Sequence, residues 1–133
     1  MKKISRKILV IDDDLGMLRL LEKWLRVDGK MVTVAADAAM GLLKAREETP
    51  DCILLDVRLP DKTGLEVARQ LNADPDTKDI PVIFITVGIP LEKDKGKEVI
   101  TIDGIEYRAF AKPLHNPKLL SEIRRHINRR ENG

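Results

Sequence analysis

Three short, unbroken apolar runs punctuate the chain: Ile8 to Ile11, Ile53 to Leu55 and Val82 to Ile85. Runs of this length without alternation suit strands covered on both faces, as in a parallel sheet. Between them apolar positions recur at helical spacing. Leu15, Leu18, Leu21, Trp24 and Leu25 form one stripe, and Ala39, Leu42, Leu43 and Ala45 form another that Pro50 ends. Leu65 to Leu71 gives a third helix. Near the end Asn116 is placed to cap a helix opening at Pro117, with Leu119, Leu120, Ile123 and Ile127 as its apolar stripe. Adding Met31 to Ala35 and a last strand near Tyr107 to Ala111, strand and helix alternate. Right-handed crossovers then place helices on both faces, which is a doubly wound α/β sandwich.

One region breaks the alternation. Asp103-Gly104 stands between the β-rich runs Val99 to Ile102 and Ile105 to Phe110, a strong signal for a β-hairpin over 99–110. The preceding Leu91 to Lys97 is charged, carries Gly96 and follows Pro90, so a short, degenerate fourth helix is expected there.

The chain of 133 residues fits a single domain, 1–133, with its core over about 7–128 and polar ends at Lys2 to Arg6 and Arg129 to Gly133. Its 24 basic and 22 acidic residues leave a formal charge of only +2, so direct nucleic-acid binding is not expected. Arg124, Arg125, Arg129 and Arg130 read as the polar face of the last helix, and His115 and His126 as solvated. The single cysteine, Cys52, sits in an apolar run and reads as a small buried hydrophobe, which fits a reducing cytoplasm. No apolar stretch is long enough for membrane insertion. Trp24 reads as core packing.

The candidate chemistry is carboxylate chemistry. In open parallel sheets ligands bind beyond the carboxyl ends of the strands, where the strand order reverses. The first strand ends in Asp12-Asp13-Asp14 and the third in Asp56, so an order 2-1-3-4-5 brings these groups together from adjacent strands. Carboxylates crowded in this way need a cation, and Mg²⁺ or Mn²⁺ suits oxygen donors and accepts phosphate oxygens. Asp14 reads instead as the cap of the first helix, because the apolar stripe starts at Leu15.

Four segments carry a resemblance that covers nearly the whole chain: Lys7 to Asp14, Leu54 to Pro60 with Gly64, Phe84 to Thr86, and Phe110 to Pro113. In these the chain resembles the receiver domains of two-component response regulators. The resemblance implies a flavodoxin-like five-stranded parallel sheet, order 2-1-3-4-5, and a phosphorelay role in which Asp56 accepts a phosphoryl group. It implies metal ligation by Asp13, Asp56 and the backbone carbonyl of Arg58, with Asp12 acting through water. Thr86 and Lys112 would bind the phosphoryl group, and Lys112-Pro113 would be cis. The implied partners are a histidine kinase or phosphotransfer protein and a downstream effector protein. The domain would be a regulatory phosphoacceptor, its only catalysis being its own phosphorylation and dephosphorylation.

The sequence departs from the family pattern in three places. Val87 follows Thr86, where receivers place a small residue. Ala109 stands where they commonly carry an aromatic, flanked by Tyr107 and Phe110. The stretch from Thr86 to Lys112 is longer by a few residues, in the region of the expected hairpin. A second reading is therefore a pseudo-receiver, a binding module that works without phosphate. A metal-dependent phosphatase built on Asp12 and Asp14 is opposed by the short chain and by Gly16, where that class has Thr or Val.

Overall fold

The computed structural model describes residues 6–86, 92–94, 97–111 and 119–125. In chain order these form β1 (Lys7–Ile11), α1 (Leu15–Val27), β2 (Met31–Ala35), α2 (Ala38–Glu48), β3 (Cys52–Asp56), α3 (Gly64–Ala73), β4 (Val82–Thr86), β5 (Glu92–Asp94), β6 (Lys97–Ile102) and β7 (Ile105–Ala111), with residues 119–125 helical. Each of the first three helices opens on a residue that stops the preceding chain and satisfies a free N–H group. Asp14 accepts from Met17 N, Asp37 from Met40 N and Thr63 from Glu66 N. At the far end of α2, Thr49 adopts a left-handed φ of 42° ahead of Pro50, which ends the helix where the sequence pattern placed its stop.

The sheet has seven strands in the order β2-β1-β3-β4-β7-β6-β5. Its first five pair in parallel, so β7 holds the fifth place of the expected 2-1-3-4-5 arrangement. The fold is the expected flavodoxin-like α/β sandwich. Because successive side chains of a strand face opposite ways, each central strand feeds two cores. Leu9, Ile11, Ile53, Leu55 and Phe84 pack with α2 and α3. Ile8, Val10, Leu54, Ile83, Ile85 and Phe110 pack with α1 and with Leu119 and Ile123 of the closing helix. Cys52 is fully buried in the second core, and Trp24 packs against it.

The segment expected to form the fourth helix adds a strand instead. Residues 92–94, inside the segment expected to be helical, form β5, which pairs antiparallel with β6. A helix of one or two turns with no apolar stripe has little to bury and a costly nucleus. Val99 to Ile102 offers an alternative: a β-branched run that pairs with β7 and leaves its other edge open to a further strand. The expected hairpin is present as β6–β7, with Ile102 opposite Ile105 across a two-residue turn. Asp103 and Gly104 both have positive φ, 52° and 82°, as a type I′ turn requires. Arg69 of α3 donates to Asp103 at 3.1 Å and ties the turn to the helical layer. Ile102 joins the α2–α3 core, and Tyr107 meets Phe84 edge-on, ring centroids 5.5 Å apart.

The closing helix is held by ion pairs as well as packing. Arg124 pairs with Asp28, at the end of α1, beside Lys30 at 3.0 Å. Glu122 accepts from both Arg108 and Arg125 at 2.6 Å. Arg124 and Arg125 are thus engaged within the domain. No described helix is long and apolar enough to cross a membrane.

Two outcomes follow. Gly104→Ala forces a side chain into left-handed backbone and should cost about 1 kcal/mol in urea unfolding. The Arg124 and Lys30 cations hold the Asp28 carboxyl below its ordinary value, with burial opposing them. A depressed folded pKa stabilises the native state above the unfolded value of 3.8 and loses that contribution as pH falls through the folded one. Asp28→Asn should therefore be less stable than wild type near neutral pH, and the gap should narrow in unfolding curves taken at pH values progressively below 3.8.

Candidate functional site

The carboxyl ends of β1 and β3 lie side by side, with Ile11 in register with Leu55. The next residue on each strand is an aspartate. Asp12 is fully buried, its N–H donating to Ala35 O at 3.0 Å and one carboxylate oxygen accepting from Asp14 N at 3.0 Å. Asp56 is 4% exposed, and its Oδ1 accepts from Arg58 N at 3.3 Å. Asp13 is exposed at the mouth of the cleft. Each of Asp12, Asp13 and Asp56 offers a carboxylate oxygen, and these oxygens lie within 4.8 Å of one another. Residues distant in the chain therefore converge because parallel strands of equal register end at the same height.

Thr86 completes the same rim from β4. Asp56 is in register with Ile85, so Thr86 stands one residue beyond it. Its hydroxyl is buried, and among the described residues it has no hydrogen-bond partner. A buried hydroxyl of that kind normally finds an acceptor. Lys112 lies outside the described residues, as do Val87, the Lys112-Pro113 bond, His115, Asn116, Pro117 and His126. Ala111, which precedes Lys112, pairs with Thr86 across β4 and β7.

The loop carrying Arg58 is drawn back onto β3. Arg58 bridges Thr63, and Gly64 N donates to Val57 O at 2.7 Å. Gly64 is set so close that a Cβ there would stand 2.2 Å from Asp56 O and 2.9 Å from Val57 Cα. Only glycine permits this approach. The loop's outer end is tied elsewhere: Asp61 accepts from Ala38 N at 2.8 Å and Ala39 N at 2.9 Å, at the start of α2. Those two N–H groups hold the Asp61 carboxyl below the usual carboxylate range. No local pattern signals this contact, since an aspartate between Pro60 and Gly64 reads as an ordinary turn residue.

The donor set fits a hard divalent cation. Three carboxylates, one exposed and two buried, offer oxygen ligands, and a hydroxyl with no partner among the described residues lies on the same rim.

Fold and cleft together describe a doubly wound domain with an acidic site at its switch point, and sequence comparison gives that class a family. Residues 8–124 match the response regulator receiver domain, and the chain belongs to that family. It is 34% identical over 121 residues to the response regulator PleD of Caulobacter vibrioides, covering 91% of this chain and 26% of PleD. It is 31% identical over 134 residues to the DNA-binding response regulator MtrA of Mycobacterium tuberculosis, covering 98% of this chain and 54% of MtrA. The chain thus spans between about a quarter and about half of the length of these curated relatives. Among solved structures, a CheY-like receiver domain from Methanospirillum hungatei superposes with a TM-score of 0.79 at 26% identity, covering 97% of this chain and 98% of that one. The receiver domain of the sensor histidine kinase PA1611 from Pseudomonas aeruginosa, solved with magnesium in its active-site cleft, gives 0.76 at 24% identity over 94% and 99% of the two chains.

The close seat of Gly64 yields a specific expectation. Gly64→Ala must push the loop off Asp56, costing about 1–3 kcal/mol of stability. It should also weaken Mg²⁺ binding, read by calorimetric titration of the folded variant.

Proposed function

We propose that this chain is a phosphorelay signal receiver that accepts a phosphoryl group on Asp56 from a histidine kinase or phosphotransfer protein. The reading is supported above all by the convergence of Asp12, Asp13 and Asp56 within 4.8 Å beside the buried hydroxyl of Thr86. Asp13, Asp56 and the Arg58 backbone carbonyl would hold Mg²⁺ or Mn²⁺, with Asp12 acting through water. When bound, the ion neutralises charge on the carboxylates and on the incoming phosphoryl oxygens.

The chain's own groups do the rest. A carboxylate oxygen of Asp56 attacks phosphorus, the bond from phosphorus to the donor's nitrogen or oxygen breaks, and an acyl phosphate forms. Thr86 Oγ1 donates to a phosphoryl oxygen, which gives that buried hydroxyl its acceptor. Lys112 pairs with the same group as a point charge. The domain then acts as a regulatory phosphoacceptor in the cytoplasm, occupying 1–133 as a single unit and passing its state to an effector protein. Thr86 and the hairpin share one intermediary, since β7 pairs with β4 through Ala111 and with β6 through Arg108. A shift at Thr86 therefore has a direct route to the remodelled surface.

One observation favours a second reading, a receiver fold that signals without phosphate. Ala109 is buried on β7 where the family commonly has an aromatic side chain.

Intact mass after incubation with acetyl phosphate and Mg²⁺ separates the two. Wild type should gain one phosphoryl group and Asp56→Asn none. A wild type that gains nothing favours the phosphate-independent module.

A further inference from the structure

The metal-binding loops leave the sheet from two different strands, and α2 touches both. On one side its backbone rests on β1: a Cβ at Gly41 would stand 2.6 Å from Ile11 Cδ1, and Ile11 immediately precedes Asp12. On the other, its first two N–H groups are taken by Asp61, a residue of the β3–α3 loop lying 23 and 22 positions away in the chain. Its third free N–H, that of Met40, is taken by its own cap, Asp37, at 2.8 Å. Two carboxylates therefore serve the positive end of one helix, where an anion is favoured. Only one of them is local.

We propose that Asp61 is a positioning residue for the metal site: its bidentate grip on α2 fixes the β3–α3 loop relative to β1 and so sets the spacing between Arg58 and the Asp12–Asp13 pair. The inference rests on the phosphoacceptor reading, because it assigns a role toward the same cation. The loop between Asp56 and Gly64 is held at its base by the Arg58–Thr63 bridge and at its tip by Asp61. The bridge fixes the loop's width, and the grip fixes its direction toward α2.

A merely structural cap predicts something different. Asp61 is exposed, so without it the Ala38 and Ala39 N–H groups turn to water and α2 keeps Asp37. Stability should then change little while the loop relaxes. Metal affinity falls more than folding does, and that split is the signature of positioning.

The test compares Mg²⁺ titration of wild type, Asp61→Ala and Asp61→Asn with their unfolding midpoints in EDTA. Residues supporting a metal ligand typically cost tenfold or more on removal, and a solvent-exposed support one step further out should cost about 3- to 10-fold in Kd. Asp61→Asn keeps one acceptor oxygen and should fall between wild type and alanine. Arg46→Ala, which breaks the Arg46–Asp74 pair elsewhere on α2, should leave the Kd unchanged. In the metal-free protein, amide resonances of Ala38 and Ala39, and with them those of Arg58 and Leu59, should move in Asp61→Ala.

The proposal is overturned if folded Asp61→Ala binds Mg²⁺ within about twofold of wild type, if Arg46→Ala weakens binding equally, or if the Ala38 and Ala39 amides do not move. In each of these cases wild type still binds Mg²⁺ and takes phosphate at Asp56, and the phosphoacceptor reading stands. Wild type that binds no Mg²⁺ sinks both.

Discussion

Everything at the cleft depends on bringing carboxylates together at the end of a sheet. Two unit charges about 5 Å apart repel by roughly 3 kcal/mol at the effective dielectric of a protein edge. No local preference of the chain favours that arrangement. The two apolar cores impose it: β1 and β3 are buried on both faces and locked in register, so Asp12 and Asp56 have nowhere else to go. The cores supply the free energy that holds the charges together, and the result is a set of oxygen donors that could hold a cation.

The same constraint explains why small residues and short bonds gather around the site. Gly64 lets the loop after Asp56 fold back against the end of β3, and Gly41 lets α2 lie against Ile11. In both places a methyl group would move the backbone that carries an acidic residue. The hydrogen bonds from Gly64 N to Val57 O and from Arg58 N to Asp56 Oδ1 then hold the Asp56 carboxylate from its own side. Rigidity here has a chemical use, since a site preorganised for charge need not reorganise when charge arrives.

Much of this was legible in the chain. Unbroken apolar runs marked β1, β3 and β4 because strands buried on both faces have no polar side to display, and the aspartates at the ends of β1 and β3 and the threonine at the end of β4 followed directly. Asp14 as a cap and Asp103-Gly104 as a turn were readable because each is a local rule satisfied by adjacent residues. The segment 92–94 was misread for the converse reason. Its strand exists only because β6 offers an open edge, and pairing of that kind leaves no periodic mark on so few residues. Asp61 escaped notice in the same way: its partners are more than twenty positions distant, and a turn aspartate looks alike whether it caps its own helix or another.

The added strands also change what a partner can meet. In a plain five-stranded parallel sheet without a hairpin the last strand is an edge, with its outer backbone groups open. Here that strand is β7, and β6 occupies its outer side along Ile102 to Val99. The edge has moved outward to β5, a three-residue strand carrying Glu92, Lys93 and Asp94. A short, charged edge is a poor template for strand addition, and backbone pairing along Ile105–Arg108 of β7 is already taken by β6. The hairpin and its side chains lie between this edge and the parallel strands. Those side chains are coupled to the site through β7 itself, whose Ala111 pairs with Thr86 at one end and whose Tyr107 packs on Phe84 further along.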